Sequence, residues 1–158
     1  MRKFEIISKE EFEKDLKRMC SYEDITLPTR STKHSAGYDF KSPIDFELQP
    51  NESIKIPTGI KVCMNEDEYL AILVRSSMGF KYNIRLCNQV GIVDSDYYNN
   101  PDNEGHIFIK IKNEGDQVLT IKKGDRFAQG IFNKYLLTDD DSADKDRIGG
   151  FGSTGKGN

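Results

Sequence analysis

The sequence predicts an all-β fold preceded by one short helix and followed by a flexible glycine-rich tail. Three observations carry this. From Ile25 onward apolar residues recur at a period of two. The alternating runs are short, and turn residues separate them at regular intervals. Many short strands spaced this way indicate a sandwich or a barrel.

The elements follow in chain order. Ser8 and Glu11 have capping-box spacing, in which each side chain can satisfy a backbone donor at a helix start. Phe12, Leu16, Met19 and Cys20 then share one helical face, which predicts an amphipathic helix docked on the domain. Ile44, Phe46 and Leu48 alternate with polar residues, as do Ile54 with Ile56, and Ile60 with Val62 and Met64. Tyr69–Val74 is a continuous apolar run, and Ile107, Ile109, Ile111, Leu119 and Ile121 resume the alternation. Gln49-Pro50-Asn51, Pro57-Thr58-Gly59, Asn113-Glu114-Gly115 and Lys122-Lys123-Gly124-Asp125 supply the turns. The last residues, RIGGFGSTGKGN, bury too little to fold alone, so they read as a flexible tail.

At 158 residues the chain suits one domain with a sizeable core. With 23 basic and 26 acidic residues and a net charge of −3, it lacks the basic footprint of a nucleic-acid binder, so no stable nucleic-acid partner is expected. The acidic run Asp139–Asp141, with Asp144 and Asp146, is the main departure from interspersed charge. Cys20, Cys63 and Cys87 are odd in number and lack C-x-x-C spacing, which argues against a disulfide framework or a zinc site. His34 and His106 are too few for a His-rich metal centre. The polar, acidic start is not a signal peptide, and Tyr69–Val74 is too short to span a membrane. A cytoplasmic protein without a membrane partner is the expectation.

Gly91–Asn100, GIVDSDYYNN, ends an apolar strand in two carboxylates and two tyrosines. A surface turn, a calcium loop and a catalytic carboxylate beside an aromatic platform are the competing readings. The calcium loop fails: counted from Asp94, the fifth, sixth and twelfth positions hold Tyr98, Asn99 and Gly105, where an EF-hand needs an oxygen ligand, glycine and glutamate. Two other segments suit a polyphosphate, offering close backbone, hydroxyls and a cation. They are Arg75–Gly79, RSSMG, and the tail with Arg147, Ser153 and Thr154.

Five segments in order, AGYDF (Ala36–Phe40), RSSMG (Arg75–Gly79), GIVDSDY (Gly91–Tyr97), GDRFAQ (Gly124–Gln129) and RIGGFGSTG (Arg147–Gly155), resemble the motifs of the homotrimeric dUTPase family. The likeness runs from about Pro28 to Gly155. It implies a jelly-roll-like β-barrel over residues 25–146, an N-terminal extension over 1–24, and a lid over 147–158 belonging to the same domain. It implies hydrolysis of dUTP to dUMP and pyrophosphate, which limits uracil in DNA and supplies dUMP.

The resemblance also implies roles. Asp94 is the general base that activates water against the α-phosphorus. Tyr97 lies beneath the deoxyribose and excludes a 2′-hydroxyl. Asn88 and Gly91 belong to the hairpin that receives uracil, whose close wall excludes the thymine methyl. Arg75, Ser76, Ser77, Gly79 and Gln129 meet the phosphates. From the tail, Phe151 stacks on uracil, while Arg147, Gly152, Ser153 and Thr154 close over the phosphates. The cofactor is Mg²⁺, held by triphosphate and water with Asp39 in its outer shell, so no protein cage for it is expected. Three copies share each site: the third motif comes from one, the first, second and fourth from another, the tail from a third. Asp96 and Tyr98 are read as turn residues.

The chain departs from the family pattern in a longer loop, Tyr98–Glu104, in Phe40 where leucine is usual, and in a tail with arginine and phenylalanine four apart rather than five. Two rivals share the scaffold. A dCTP deaminase would need a carboxylic acid where Lys110 stands. A nucleotide-sensing regulatory protein would not need Asp94, Tyr97 and the tail together.

Overall fold

The computed structural model describes residues 1–150. Eleven strands and two short helices are present among them. In order they are β1 (Lys3–Ile6), α1 (Lys9–Asp15), β2 (Tyr38–Lys41), β3 (Phe46–Leu48), β4 (Ser53–Pro57), β5 (Ile60–Cys63) and β6 (Glu68–Leu73). Then come α2 (Ser76–Tyr82), β7 (Ile84–Leu86), β8 (Gly91–Asp94), β9 (Phe108–Asn113), β10 (Leu119–Ile121) and β11 (Arg126–Lys134). Every pairing between these strands is antiparallel. The sheets run β2-β11-β6-β8, β4-β9-β7, β1-β5 and β10-β3, a jelly-roll-like all-β arrangement of four separate ladders.

The alternation sorts the side chains as expected. Ile56, Ile109 and Ile111 are wholly inside, while Lys55, Lys110 and Ser53 point out. Leu48, Ile60, Val62, Leu70, Leu119 and Phe127 complete one continuous core. Phe40 is 1% exposed and packs edge-on against Phe4 with centroids 5.8 Å apart, so it changes packing only.

The strands β2, β7 and β11 were not read individually from the sequence, and two further elements, β1 and α2, lie outside its expectation. β1 pairs with β5 from Lys3↔Cys63 to Ile6↔Ile60, and Ile7 is fully buried, so the N-terminal residues contribute to the same core. The polar KFEI pattern hid this strand. The RSSMG segment forms α2, ending at Asn83 in the left-handed conformation (φ 52°). Its serines and glycine are poor helix formers and read as a turn.

The first helix is shorter than its apolar spacing suggested. It ends at Asp15; Phe12 and Leu16 are buried, but Met19 is 48% exposed. Its cap is also only half of the expected box. Ser8 Oγ accepts from Glu11 N at 3.1 Å, but Glu11 turns to Lys14 Nζ at 2.6 Å. The Ser8 N–H instead donates to Glu104 Oε2 at 3.0 Å, and Ser8 Oγ also bonds Glu104. A residue from the long loop thus completes the cap. Among the described residues no helix is long and apolar enough to cross a membrane.

Candidate active site

The turn Cys87–Val90 carries the chain from β7 in the three-stranded sheet to β8 in the four-stranded sheet. Between the sheets lies a cleft of about 680 Å³. Asn88, Gly91, Asp94 and Tyr97 line it from the β8 side, Lys55, Phe108 and Lys110 from β4 and β9, and Arg147 and Gly150 from the C-terminal segment.

Asp94 is the last residue of β8, where the ladder stops at Tyr69↔Asp94 and the chain enters a short 3₁₀ turn, Ser95–Tyr97. Its side chain is 52% exposed, open to a water molecule. Arg147 Nη2 meets Asp94 Oδ2 at 2.7 Å, and Arg147 Nε meets Asp96 Oδ1 at 2.7 Å. One guanidinium therefore spans both carboxylates. Asp96, read as a turn residue, shares the Arg147 guanidinium with Asp94.

Tyr97 is 6% exposed. Its hydroxyl donates to the His106 carbonyl at 2.8 Å and accepts from Asn103 Nδ2 at 2.8 Å. Burial pushes its phenol up from the ordinary value, against the opposing Asn103 hydrogen bond and Arg147 charge. The Arg147 guanidinium lies 5.9 Å from the ring centroid. Tyr98 faces elsewhere, donating to Glu5 Oε2 at 2.6 Å.

A second cavity, of about 400 Å³, is lined by Val74, Arg75, Ser76, Gly79, Phe80 and Asn83, and Arg75 ties it to a polar cluster behind it. Arg75 Nε meets Asp39 Oδ1 at 3.0 Å. Asp39 Oδ2 accepts from Ser31 Oγ at 2.6 Å and lies 3.5 Å from Arg126 Nη1. Gln129 pairs in register with both Asp39 and Leu73, and its Nε2 donates to the Val74 carbonyl at 3.1 Å. A Cβ at Gly37 would run into Gln129 Oε1, so a larger residue there would push the glutamine side chain aside. The first, second and fourth motifs therefore meet around one point. Ser77 is exposed and lines neither cavity. Phe151, Gly152, Ser153 and Thr154 lie outside the described residues.

Glu11, Asp15 and His106 also gather within metal-binding reach of one another. The hydrogen bonding does not suit a metal. His106 Nε2 accepts from Gly59 N at 2.9 Å, so the neutral ring carries its proton on Nδ1, the atom facing Asp15 Oδ2 at 3.4 Å. Burial, opposed by Asp15, lowers His106 to about 4, which keeps the ring neutral.

The dUTPase family profile matches residues 23–155. The deoxyuridine 5'-triphosphate nucleotidohydrolase of Lactococcus lactis subsp. lactis (strain IL1403) is 47% identical over 133 residues, covering 83% of this chain and 89% of its own. The crystal structure of a dUTPase from Streptococcus mutans superposes with a TM-score of 0.70 at 40% identity, over 86% of this chain and 98% of that one. The dUTPase of Staphylococcus bacteriophage 80alpha, solved with dUPNHPP, has the same fold at a TM-score of 0.68 and 21% identity, over 99% of each chain. By profile, sequence and fold, with the described motif residues gathered into two clusters, the chain belongs to the dUTPase family.

Proposed function

We propose that this protein hydrolyses dUTP to dUMP and pyrophosphate, with Asp94 as the general base. The observation that carries the reading is the cleft itself. It sets an open carboxylate beside a buried, doubly hydrogen-bonded tyrosine and the Asn88 hairpin. Uracil enters between the hairpin and β9, and the sugar rests on Tyr97. Asp94 takes a proton from water in line with the α-phosphorus, and charge on the phosphates is met by cations. A positioned base of this kind contributes about 10²–10⁴ in rate. The remainder comes from orientation and electrostatic stabilisation.

Mg²⁺ is the proposed cofactor, and it supplies charge neutralisation at the triphosphate. Both Asp39 oxygens are already engaged, Oδ1 by Arg75 and Oδ2 by Ser31 and Arg126. That fits an outer-shell role through water rather than direct ligation. The phosphates are met by Arg75, Ser76 and Gln129, while Phe151, Ser153 and Thr154 close with the tail.

Asp94 and Tyr97 line one cavity of the chain and Arg75 and Ser76 another, which supports a homotrimer. A nucleotide held at Asp94 and Tyr97 of one copy is reached by Arg75 and Gln129 of a second, with the tail from a third. Whichever copy supplies the tail, Arg147 arriving at the cleft meets the Asp94–Asp96 pair. Sedimentation should give a trimer, and a monomer that turns over dUTP would overturn shared sites. A dCTP deaminase is disfavoured by Lys110, which lines the cleft where an acid is needed.

The deciding experiment is incubation with dUTP, dCTP, dTTP and UTP plus Mg²⁺, with product identification. The expected result is dUMP and pyrophosphate from dUTP alone. Release of ammonia from dCTP would reverse the reading.

A further inference from the structure

The long loop Tyr98–Glu104 reaches the Tyr97 side chain through Asn103. Asn103 Nδ2 donates to the Tyr97 hydroxyl at 2.8 Å, and that hydroxyl donates in turn to the His106 carbonyl at 2.8 Å. The phenol is thus gripped on both sides. Asn103 is itself held. Its Oδ1 accepts from Asn100 Nδ2 at 2.8 Å and from Gly105 N at 3.1 Å. Asn100 is buried and acts as the loop's hub. Its Oδ1 accepts from Asp102 N at 3.0 Å and Asn103 N at 3.1 Å, and its Nδ2 also donates to the Tyr97 carbonyl at 2.9 Å. Gly105 sits at φ 82°, where a Cβ would lie 2.5 Å from the Tyr97 carbonyl oxygen. The loop therefore folds back tightly on the tyrosine it follows.

The outside of the loop is braced by the N-terminal residues. Glu104 completes the Ser8 cap and meets Lys61 Nζ at 3.3 Å; Tyr98 binds Glu5. We infer that Asn103 is a positioning residue for the Tyr97 ring, and that the loop and the N-terminal segment together form the support that holds it. Asn103 acts through the tyrosine hydroxyl and does not touch the reacting atoms. Its effect on sugar selection rests on the reading of Tyr97 as the floor beneath the deoxyribose.

The variants separate the donor from the fold. Asn103→Asp keeps the Oδ1 acceptor that holds the loop but puts a carboxylate oxygen in place of the donor to Tyr97, which the phenol can meet only by turning its proton away from the His106 carbonyl. Asn103→Ala removes both, and Tyr97→Phe removes the hydroxyl while keeping the ring. Each is measured in the full-length protein for melting temperature and for kcat/KM with dUTP and UTP. Small misplacements of a positioning group are expensive in rate, so Asn103→Asp should narrow the dUTP/UTP ratio by about tenfold with little change in melting temperature. Tyr97→Phe should narrow it at least as much, since it also loses the bond to the His106 carbonyl. The Asn103→Asp, Tyr97→Phe double variant should be no worse than Tyr97→Phe alone, because the hydroxyl through which Asn103 acts is already gone. An unchanged ratio in Asn103→Asp, or fully additive losses, overturns the inference.

A readout independent of turnover keeps this distinct from the sugar reading. The ¹⁹F resonance of 3-fluorotyrosine placed at position 97 should shift or broaden in Asn103→Asp. An unmoved resonance overturns the inference whatever the kinetics. A moved resonance upholds the hold on Tyr97; if Tyr97→Ala also leaves the dUTP/UTP ratio unchanged, it is the sugar floor that fails.

Discussion

Arg147 Nη2 stands 2.7 Å from Asp94 Oδ2, so the carboxylate proposed as the base is paired with a cation from the tail. Asp96 holds the same guanidinium through Nε at 2.7 Å. A triphosphate offers Arg147 more charge than two carboxylates do, so under the proposed mechanism its arrival would free Asp94 to take the proton of the attacking water.

Asp94→Asn should keep the fold, since the residue is half exposed and ends a strand. An amide cannot accept the proton, so kcat should fall by about 10²–10⁴. Nucleotide binding should persist, measured by calorimetry with a non-hydrolysable dUTP analogue. Near-full turnover would remove Asp94 as the base.

Asp96→Asn should loosen the resting tail while leaving the base in place. Exposed ion pairs contribute only about 0–1 kcal/mol, so the melting temperature should hardly change. Trypsin should cut more rapidly after Lys145 and Arg147 in the ligand-free protein, and kcat should stay within about threefold because Asp94 is intact. Unaltered cleavage would show that Asp96 does not hold the tail.

Ending the chain at Asp146 removes Arg147 and the segment proposed to close over the nucleotide. The described tail residues reach the body chiefly through exposed contacts, with Gly150 N donating to Asp102 Oδ2 at 3.3 Å. Thermal stability should therefore survive while kcat falls by about 10² or more, as expected for loss of a closing element. Full activity without these residues would take the lid out of the mechanism.

His106 links stability to pH. Its value falls from 6.5 unfolded to about 4 folded, chiefly by burial. Between these values the unfolded chain binds the extra proton, so stability falls as pH drops. The contribution is complete above pH 6.5 and is lost as pH approaches about 4. Carboxylates lowered by their hydrogen-bond partners, such as Asp24 by the Ser21 backbone and Asp67 by Lys134, add a similar trend, so the comparison must be with His106→Gln. Urea unfolding at about pH 7 and about pH 4.5 should show a smaller drop for the variant; equal drops would mean that His106 does not titrate on unfolding.

The period-two alternation was enough to read β4, β5, β9 and β10 and their buried faces, because burial of one sheet face imposes that pattern on any sequence. The five motifs were legible together, by their likeness in order to those of the dUTPase family, whereas each phosphate-type segment alone would pass for a common turn. What the chain could not state locally was any contact whose partner is distant in sequence. β1 is a strand only because β5 receives it, and Ser8 is capped by Glu104, ninety-six residues away. RSSMG is a helix against its own propensities because Met78 is buried in the core. Asn103 lies outside the motifs and Asp96 reads as a turn residue within one; their roles arise only when the loop folds back on Tyr97 and the tail returns to β8. Hydrogen bonds and ion pairs act over a few ångströms of space, and the fold alone decides which residues share that space.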